Sequence, residues 1–283
     1  SAGPPSPGTD RLISAVSIFH GMAPWQIVFI LCGAPGIVMA AVVLFTVREP
    51  RRHGVVSVTQ GFSLGPILAL FCERPRAYLT LMVGTVSNLV CVYAIVGWFP
   101  ALFIRAHHWT PAETGYLLGI VGMPISLFAA INSGWVISWL MNRGRRDAPF
   151  IAAMVSGLSM AVLGTLACVV SSGPLAMVFY ALNAFFVNWN ISGVYSGISL
   201  ITPNQLRGQV MALHTICSGL IALTAGNFIV GFLSDTVFKQ PGGISYALGL
   251  VFFAFGLAAF LILAFGRRAF AAAVIAHAEK ELH

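Results

Sequence analysis

The sequence predicts an all-α fold, a polytopic membrane helix bundle of seven transmembrane helices. Three observations carry this. Asp, Glu, Lys and Arg make up only 8% of the 283 residues and apolar types 58%, whereas soluble domains run at roughly 25% charged. Seven charge-free stretches each reach the ~20 residues needed to cross the hydrocarbon core. The charges between them gather in short clusters. The stretches are continuous and lack the period-two alternation of barrel strands. In lipid each backbone amide must be satisfied inside its own helix, so helices are expected throughout. The formal net charge of +7 is confined to the clusters between spans, so the expected partner is a lipid bilayer and not nucleic acid.

Residues 1–24 are Pro-, Ser- and Gly-rich at their start and have no basic-then-apolar leader pattern. They are expected as an external N-terminal segment. The first span covers 25–47, and a cytoplasmic central loop covers 48–76. Within that loop, 62–71 is predicted to form a short helix at the membrane surface, assisted by Arg74 and Arg76. A six-helix part occupies 77–268, with spans over 77–104, 114–142, 148–170, 174–206, 208–234 and 240–266; the tail covers 269–283. Ser171, Ser172 and Gly173 form the tight turn between the fourth and fifth spans. Direction follows from the basic residues, because loops rich in Lys and Arg stay in the cytoplasm. Twelve of the fifteen lie on one side, and only Arg11, Arg105 and Lys239 on the other. That asymmetry predicts an N-terminus outside and a C-terminus in the cytoplasm.

Enzymatic constellations are absent from the pattern. No acidic or basic side chain lies deep in a span, no GxSxG, HExxH or Walker A sequence occurs, and neither a metal site nor a cofactor is expected. The five cysteines are irregularly spaced and read as packing thiols. His107 and His108, adjacent in an outer loop, read as solvated. The spans do contain amide, hydroxyl and small residues at helical spacing. Asn183, Phe186, Asn190, Gly193 and Gly197 share one face of the fifth span, and Asn188, Ser192, Tyr195 and Ser199 share another. Asn88 and Tyr93, with Trp98, form a second group on the second span. Polar groups in hydrocarbon turn toward a bundle interior or a wet cavity. Asn88, Tyr93, Asn183, Phe186 and Asn190 are therefore candidate substrate-binding residues, with interhelical hydrogen bonding as the alternative role. Gly115, Gly119 and Gly122, and likewise Gly219, Ala222 and Gly226, read as small-residue packing seams. Pro100 and Pro124 are expected to kink their helices. His214, the one titratable side chain well inside a span, is a candidate proton relay.

Three segments carry a family resemblance. Trp25-Gln-Ile-Val-Phe29, Gly33-Ala-Pro-Gly36 and Val47-Arg-Glu-Pro-Arg51 resemble the sixth span of major facilitator superfamily transporters and the start of their central loop. Gly134-Trp135 followed by Asn142-Arg-Gly-Arg-Arg-Asp-Ala-Pro149 is similar to the loop joining spans eight and nine. Ile201-Thr-Pro-Asn-Gln-Leu-Arg-Gly-Gln-Val210 is similar to the loop between spans ten and eleven. Within the superfamily, the wording is most similar to the bacterial spinster-like branch. The resemblance runs from Trp25 to Arg268 and implies spans six to twelve, that is, the C-terminal half plus one helix of the other half. It makes the missing N-terminal half, spans one to five, an expected partner.

The resemblance also implies a secondary transporter working by alternating access, with a small-molecule substrate and a coupling ion. Spans seven and ten of the family line the cavity, which supports Asn88, Tyr93, Asn183 and Asn190. Gly134, Arg143, Gly144, Arg145, Arg207 and Gly208 become the loop-motif residues of conformational change. Two departures stand out. Ser138 and Trp139 occupy positions where the family carries an acidic and a basic residue, and Gly226-Asn227 replaces a Gly-Pro pair. The chain has no fixed charge among its candidate lining residues, which suits a small organic or amphipathic solute. The alternative is a seven-helix receptor with the same topology. Against it, this chain has no Asp/Glu-Arg-Tyr at the end of its third span and no Asn-Pro-x-x-Tyr in its seventh. The expected location is a bacterial inner membrane.

Overall fold

The computed structural model describes residues 23–47, 64–240 and 242–282. Arg48, Arg51, Arg52, Phe62 and most of the expected external segment lie outside the described residues. Each expected span is a helix. They are α1 (Pro24–Thr46), α3 (Pro75–Ala106), α4 (Pro111–Asn142), α5 (Ala148–Val169), α6 (Gly173–Ile201), α7 (Asn204–Val237) and α8 (Gly243–Leu282), with the short α2 (Leu64–Glu73) between α1 and α3. Among the described residues, α3 to α8 are the six helices long and apolar enough throughout to cross a membrane.

The chain divides into two compact units, one carrying α1 and the other α2 to α8. In α1 the Gln26 side chain reaches back to accept from the Ala23 backbone N–H at 2.8 Å, satisfying one amide that a helix start leaves free.

The second unit begins with α2, the short helix expected over 62–71. It is seated on the bundle: Ile67 and Leu70 are buried in the core beside Tyr78 and Leu81 of α3, and Phe71 stacks on Tyr78 at 4.7 Å. Proline fixes the first turn of α3 to α6, where its missing N–H costs nothing. Helix α4 starts at Pro111, ahead of the expected 114, because Thr110 and Glu113 form a reciprocal capping box. Helix α8 does not stop at the expected 266 but runs 40 residues in all, from Gly243 to Leu282.

In lipid, close packing and interhelical hydrogen bonds hold helices together, since the tails are as apolar as the side chains. Two apolar clusters do most of this packing. One lies toward Arg105 and joins Phe99, Leu102 and Phe103 of α3 with Met160 and Ala167 of α5 and Phe252 of α8. The other lies toward the opposite end and joins Tyr78, Leu81, Phe150, Ile198 and Phe270, with the Phe150 and Phe270 rings 4.4 Å apart. Backbones meet closely where glycine permits. A Cβ on Gly256 would fall 2.6 Å from the Ala161 nitrogen, and one on Gly226 would fall 2.5 Å from the Val90 carbonyl oxygen.

The expected glycine seams divide on this test. Gly122 and Gly226 sit in close approach, whereas Gly115, Gly119 and Gly219 face open space. Those open positions lie on α4 and α7, whose most apolar windows are 17% and 22% buried, against 56% for α5. Helix α5 is thus an inner element, and α4 and α7 leave broad apolar faces uncovered within this unit.

Candidate functional site

Between the two apolar clusters lies a layer of polar side chains from four helices. Thr85 and Asn88 come from α3, Ser156 and Ser159 from α5, Asn183 and Asn190 from α6, and His214 from α7. All seven are buried, and Thr85, Asn88, Ser156, Asn183 and Asn190 have no solvent exposure. Hydrogen bonds connect them in two groups. In the first, Asn88 Nδ2 donates to Ser156 Oγ at 3.0 Å, and Ser156 Oγ donates to the Val187 carbonyl at 3.3 Å. Ser159 Oγ reaches Asn183 Oδ1 at 3.2 Å, and Asn183 Nδ2 contacts Met160 Sδ at 3.5 Å.

In the second group, Asn190 Nδ2 donates to the Thr85 carbonyl at 3.4 Å. Thr85 Oγ1 donates to the Leu81 carbonyl at 2.6 Å, so its lone pairs face His214 Nε2 at 3.1 Å. Two acceptors are left over. Asn88 Oδ1 and Asn190 Oδ1 are buried without a protein donor, although buried polar atoms are rarely left so.

A break in helix period closes the layer on α5. Residues Met160–Gly164 of α5 form a single π turn, which changes the facing of the helix on either side of it. Ser156 and Ser159 before the turn meet α3 and α6. Thr165 after it donates to the Gly249 carbonyl of α8 at 3.2 Å.

Asn88, Asn183, Asn190 and His214 are thus brought into one layer. Tyr93 and Phe186 are not. Tyr93 is half-buried against the apolar cluster toward Arg105. Phe186 packs edge-on against Phe185 and Trp189, with ring centroids 5.0 and 5.6 Å apart. Asn188 returns its amide to the Ala184 carbonyl of its own helix, and Ser192 bonds Ser133 of α4 at 2.6 Å. Sequence reading passed over Thr85, Ser156 and Ser159. Their signal was the spacing of hydroxyls one turn from Asn88 and from each other, which resembles ordinary serine content in a span.

The loop-motif residues lie at the end away from Arg105. Gly144 has φ +81°, and it closes α4 with a Schellman motif. Its N–H bonds the Met141 carbonyl at 2.9 Å, while the Arg145 N–H reaches the Leu140 carbonyl at 3.0 Å. Arg143 lies over the Trp139 ring, 3.9 Å from its centroid, so the Trp that replaces a basic residue serves as a cation–π platform. Arg145 Nε bonds Asp147 Oδ1 at 3.1 Å, and Arg267 from α8 pairs with the other carboxylate oxygen. Burial raises the Asp147 pKa, but the Arg145 hydrogen bond and the Arg267 charge outweigh it and hold the carboxyl below the usual range.

Gly134 faces open space, with its carbonyl accepting from Ser138 Oγ. Gly208 is likewise open, and Arg207 Nε is buried with no hydrogen-bond partner. Tyr78 anchors the segment ahead of Arg207, its hydroxyl lying 2.9 Å from both the Ile201 carbonyl and Thr202 Oγ1.

Residues 12–226 match the family model described as Major Facilitator Superfamily. The chain is 23% identical over 250 residues to a probable galactarate/D-glucarate transporter of Bacillus subtilis (strain 168), covering 78% of this chain and 53% of that protein. It is 25% identical over 232 residues to an MFS-type efflux pump of Mycolicibacterium smegmatis, covering 80% of this chain and 51% of the pump. It spans about half the length of these relatives. Among solved structures, a bacterial homolog of the human lysosomal transporter spinster, inward-facing and unoccupied, aligns with a TM-score of 0.58 at 15% identity. That alignment covers 96% of this chain and 65% of the homolog. The family match extends over most of the chain, and the all-helical architecture agrees with it: the chain is an integral membrane protein belonging to the Major Facilitator Superfamily.

Proposed function

We propose that this chain works as the C-terminal portion of a secondary active transporter that moves a small organic or amphipathic solute by alternating access. The observation that carries the reading is the buried polar layer set between two apolar clusters, at the height where transporters of inverted or parallel repeats place their sites. The uncovered faces of α4 and α7 suit a second helical half as partner, contributed by spans one to five. The Arg-rich loop at 143–146 orients that end to the cytoplasm by the positive-inside rule, in a bacterial inner membrane.

In this reading the five candidate binding residues divide their work. Asn88, Asn183 and Asn190 hold α3, α5 and α6 at fixed spacing. Phe186 and Tyr93, half-buried, supply apolar contact to the solute. The two leftover amide oxygens are sealed inside this half and become acceptors for a coupling cation only as the helices part, and His214 beside Thr85 relays a proton. No Lys or Arg lies in the layer, so the solute carries no strong negative charge at this half of the site. The loop Arg143–Asp147, held to α8 through Arg267, makes and breaks its contacts as the halves rock.

The test is solute counterflow into proteoliposomes holding the complete gene product, normalised to folded protein. Phe186→Ala is expected to alter apparent affinity at unchanged stability. His214→Gln is expected to abolish proton-driven accumulation while leaving counterflow intact. Absence of any solute flux above empty liposomes, across sugars, organic acids and amphipathic amines, overturns the transporter reading.

A further inference from the structure

The two amides that cross between α3 and its neighbours in the polar layer are each half satisfied. Asn88 of α3 donates from Nδ2 to Ser156 of α5 at 3.0 Å, and Asn190 of α6 donates from Nδ2 to the Thr85 carbonyl of α3 at 3.4 Å. Their oxygens, Asn88 Oδ1 and Asn190 Oδ1, have no donor. Turning either amide over exchanges an orphan oxygen for an orphan nitrogen. Both residues have no solvent exposure, so protein atoms close on these oxygens and leave no surface against which a water fits. A carbonyl sealed in this way loses its hydration and receives nothing in exchange.

The surrounding packing shows where that cost is relieved. Backbones come together through glycine where α5 meets α6 and α8, and where α3 meets α7. A Cβ added at Gly193 would lie 2.7 Å from the Pro149 oxygen, one at Gly256 2.6 Å from the Ala161 nitrogen, and one at Gly226 2.5 Å from the Val90 oxygen. Helix α3 meets α6 through side chains. Toward one end the Tyr78 hydroxyl lies 2.9 Å from the Ile201 carbonyl, and toward the other the Phe99 and Tyr180 rings stand 5.3 Å apart. Between these contacts lie the two amide bonds. Separating α3 at that height breaks two interhelical bonds, each weak in a membrane, and returns two acceptors to water. Loss and gain oppose each other, while α8, packed on both α3 and α5, keeps the bundle joined.

We propose that the polar layer is a seam built to open: α3 parts from α5 and α6 at the height of Asn88 and Asn190, and water enters to pair the two amide oxygens. The bonds that set the helix spacing are then also the place where it yields. The seam goes beyond the transport reading and does not depend on it, because halves that rock as rigid bodies satisfy that reading equally well.

The complete gene product carrying Ser156→Cys, in phosphatidylcholine nanodiscs, tests this with a water-soluble methanethiosulfonate and peptide mass spectrometry. The new thiol is expected to react. Cys91 and Cys168, as deeply buried but in the apolar cluster, are expected to stay unmodified over the same period. Asn88→Leu and Asn190→Leu each replace an orphan acceptor by an apolar group, and both leave Ser156 its Val187 carbonyl. Added to the reporter, each is expected to slow its labelling about tenfold, the factor that relief of one unpaired buried acceptor gives to an opening equilibrium. Without the reporter, each is expected to raise the unfolding midpoint. Gly219→Ala, facing open space, is the control and should change neither. A thiol at 156 as inert as Cys91 overturns the proposal, and so does labelling that both leucine variants leave at the parent rate. Equal modification of Cys91 and Cys168 also overturns it, since the whole bundle is then opening, as does a midpoint that both leucine variants lower.

Discussion

Helices of this molecule come together at residues with the least side chain. At Gly226 an added Cβ would lie 2.5 Å from the Val90 carbonyl oxygen and 3.2 Å from the Ala94 nitrogen. Both are backbone atoms of a helix and cannot turn aside. Gly226→Ala is therefore expected to destabilise by about 1–3 kcal/mol, the usual cost of overpacking. Gly219→Ala, on the same helix but facing open space, is expected to be neutral. Thermal unfolding of the two purified variants checks this, and equal midpoints would contradict the close approach of α3 and α7. The asparagines behave differently. Asn190→Ala removes a 3.4 Å bond to a carbonyl and an oxygen that had no donor. Its expected cost is only about 0.6 kcal/mol, as for other interhelical bonds in membranes. A loss of several kcal/mol would mean that Asn190 Oδ1 has a bound partner.

At the scale of elements, Asp147 joins the α4–α5 turn to α8 through Arg145 and Arg267. Its pKa is depressed in the folded protein. The sign follows: the contribution is full above the unfolded carboxylate pKa of about 4, and it is lost as pH falls below that through the folded value. Asp147→Asn is expected to lower the unfolding midpoint at pH 7 and to flatten its decline below about pH 4. Melting curves between pH 3 and 7 measure both, and an unchanged slope would remove Asp147 from the acid response. The Arg-Gly-Arg-Arg-Asp run was readable as a loop. Its closure needed only a glycine at positive φ, which Gly144 supplies. The partner from Arg267 was not readable, because it arrives from a helix more than a hundred residues later.

At the scale of the whole molecule, α5 separates the Arg143–Asp147 turn from the Ser171 turn. Its 22 residues rise about 33 Å at 1.5 Å each, close to the ~30 Å hydrocarbon core. Cysteines placed at exposed Arg146 and Ser171 are expected to label from opposite sides of the membrane, Ser171→Cys from outside. Gly144 and Gly242 are poor positions for this test, since both hold positive φ. An impermeant reagent that reaches both cysteines in intact cells would contradict the topology.

What the sequence determined by itself is what hydropathy and backbone chemistry dictate locally. Long charge-free runs must close their own hydrogen bonds as helices in lipid, Pro marks their first turns, and charged clusters mark their ends. The three motif segments were enough to identify the family. Tertiary structure decided which side of each helix meets a neighbour. Asn183 and Asn190 share a face by spacing, yet one bonds α5 and the other α3. Tyr93 and Phe186 left the group because burial depends on adjoining helices. The π turn at Met160–Gly164 has no signature in residue type, and it alters the facing of every side chain beyond it. Periodicity fixes relative angles along one regular helix, but the partners across an interface come from packing between distant segments, and a single extra residue in a turn resets the count.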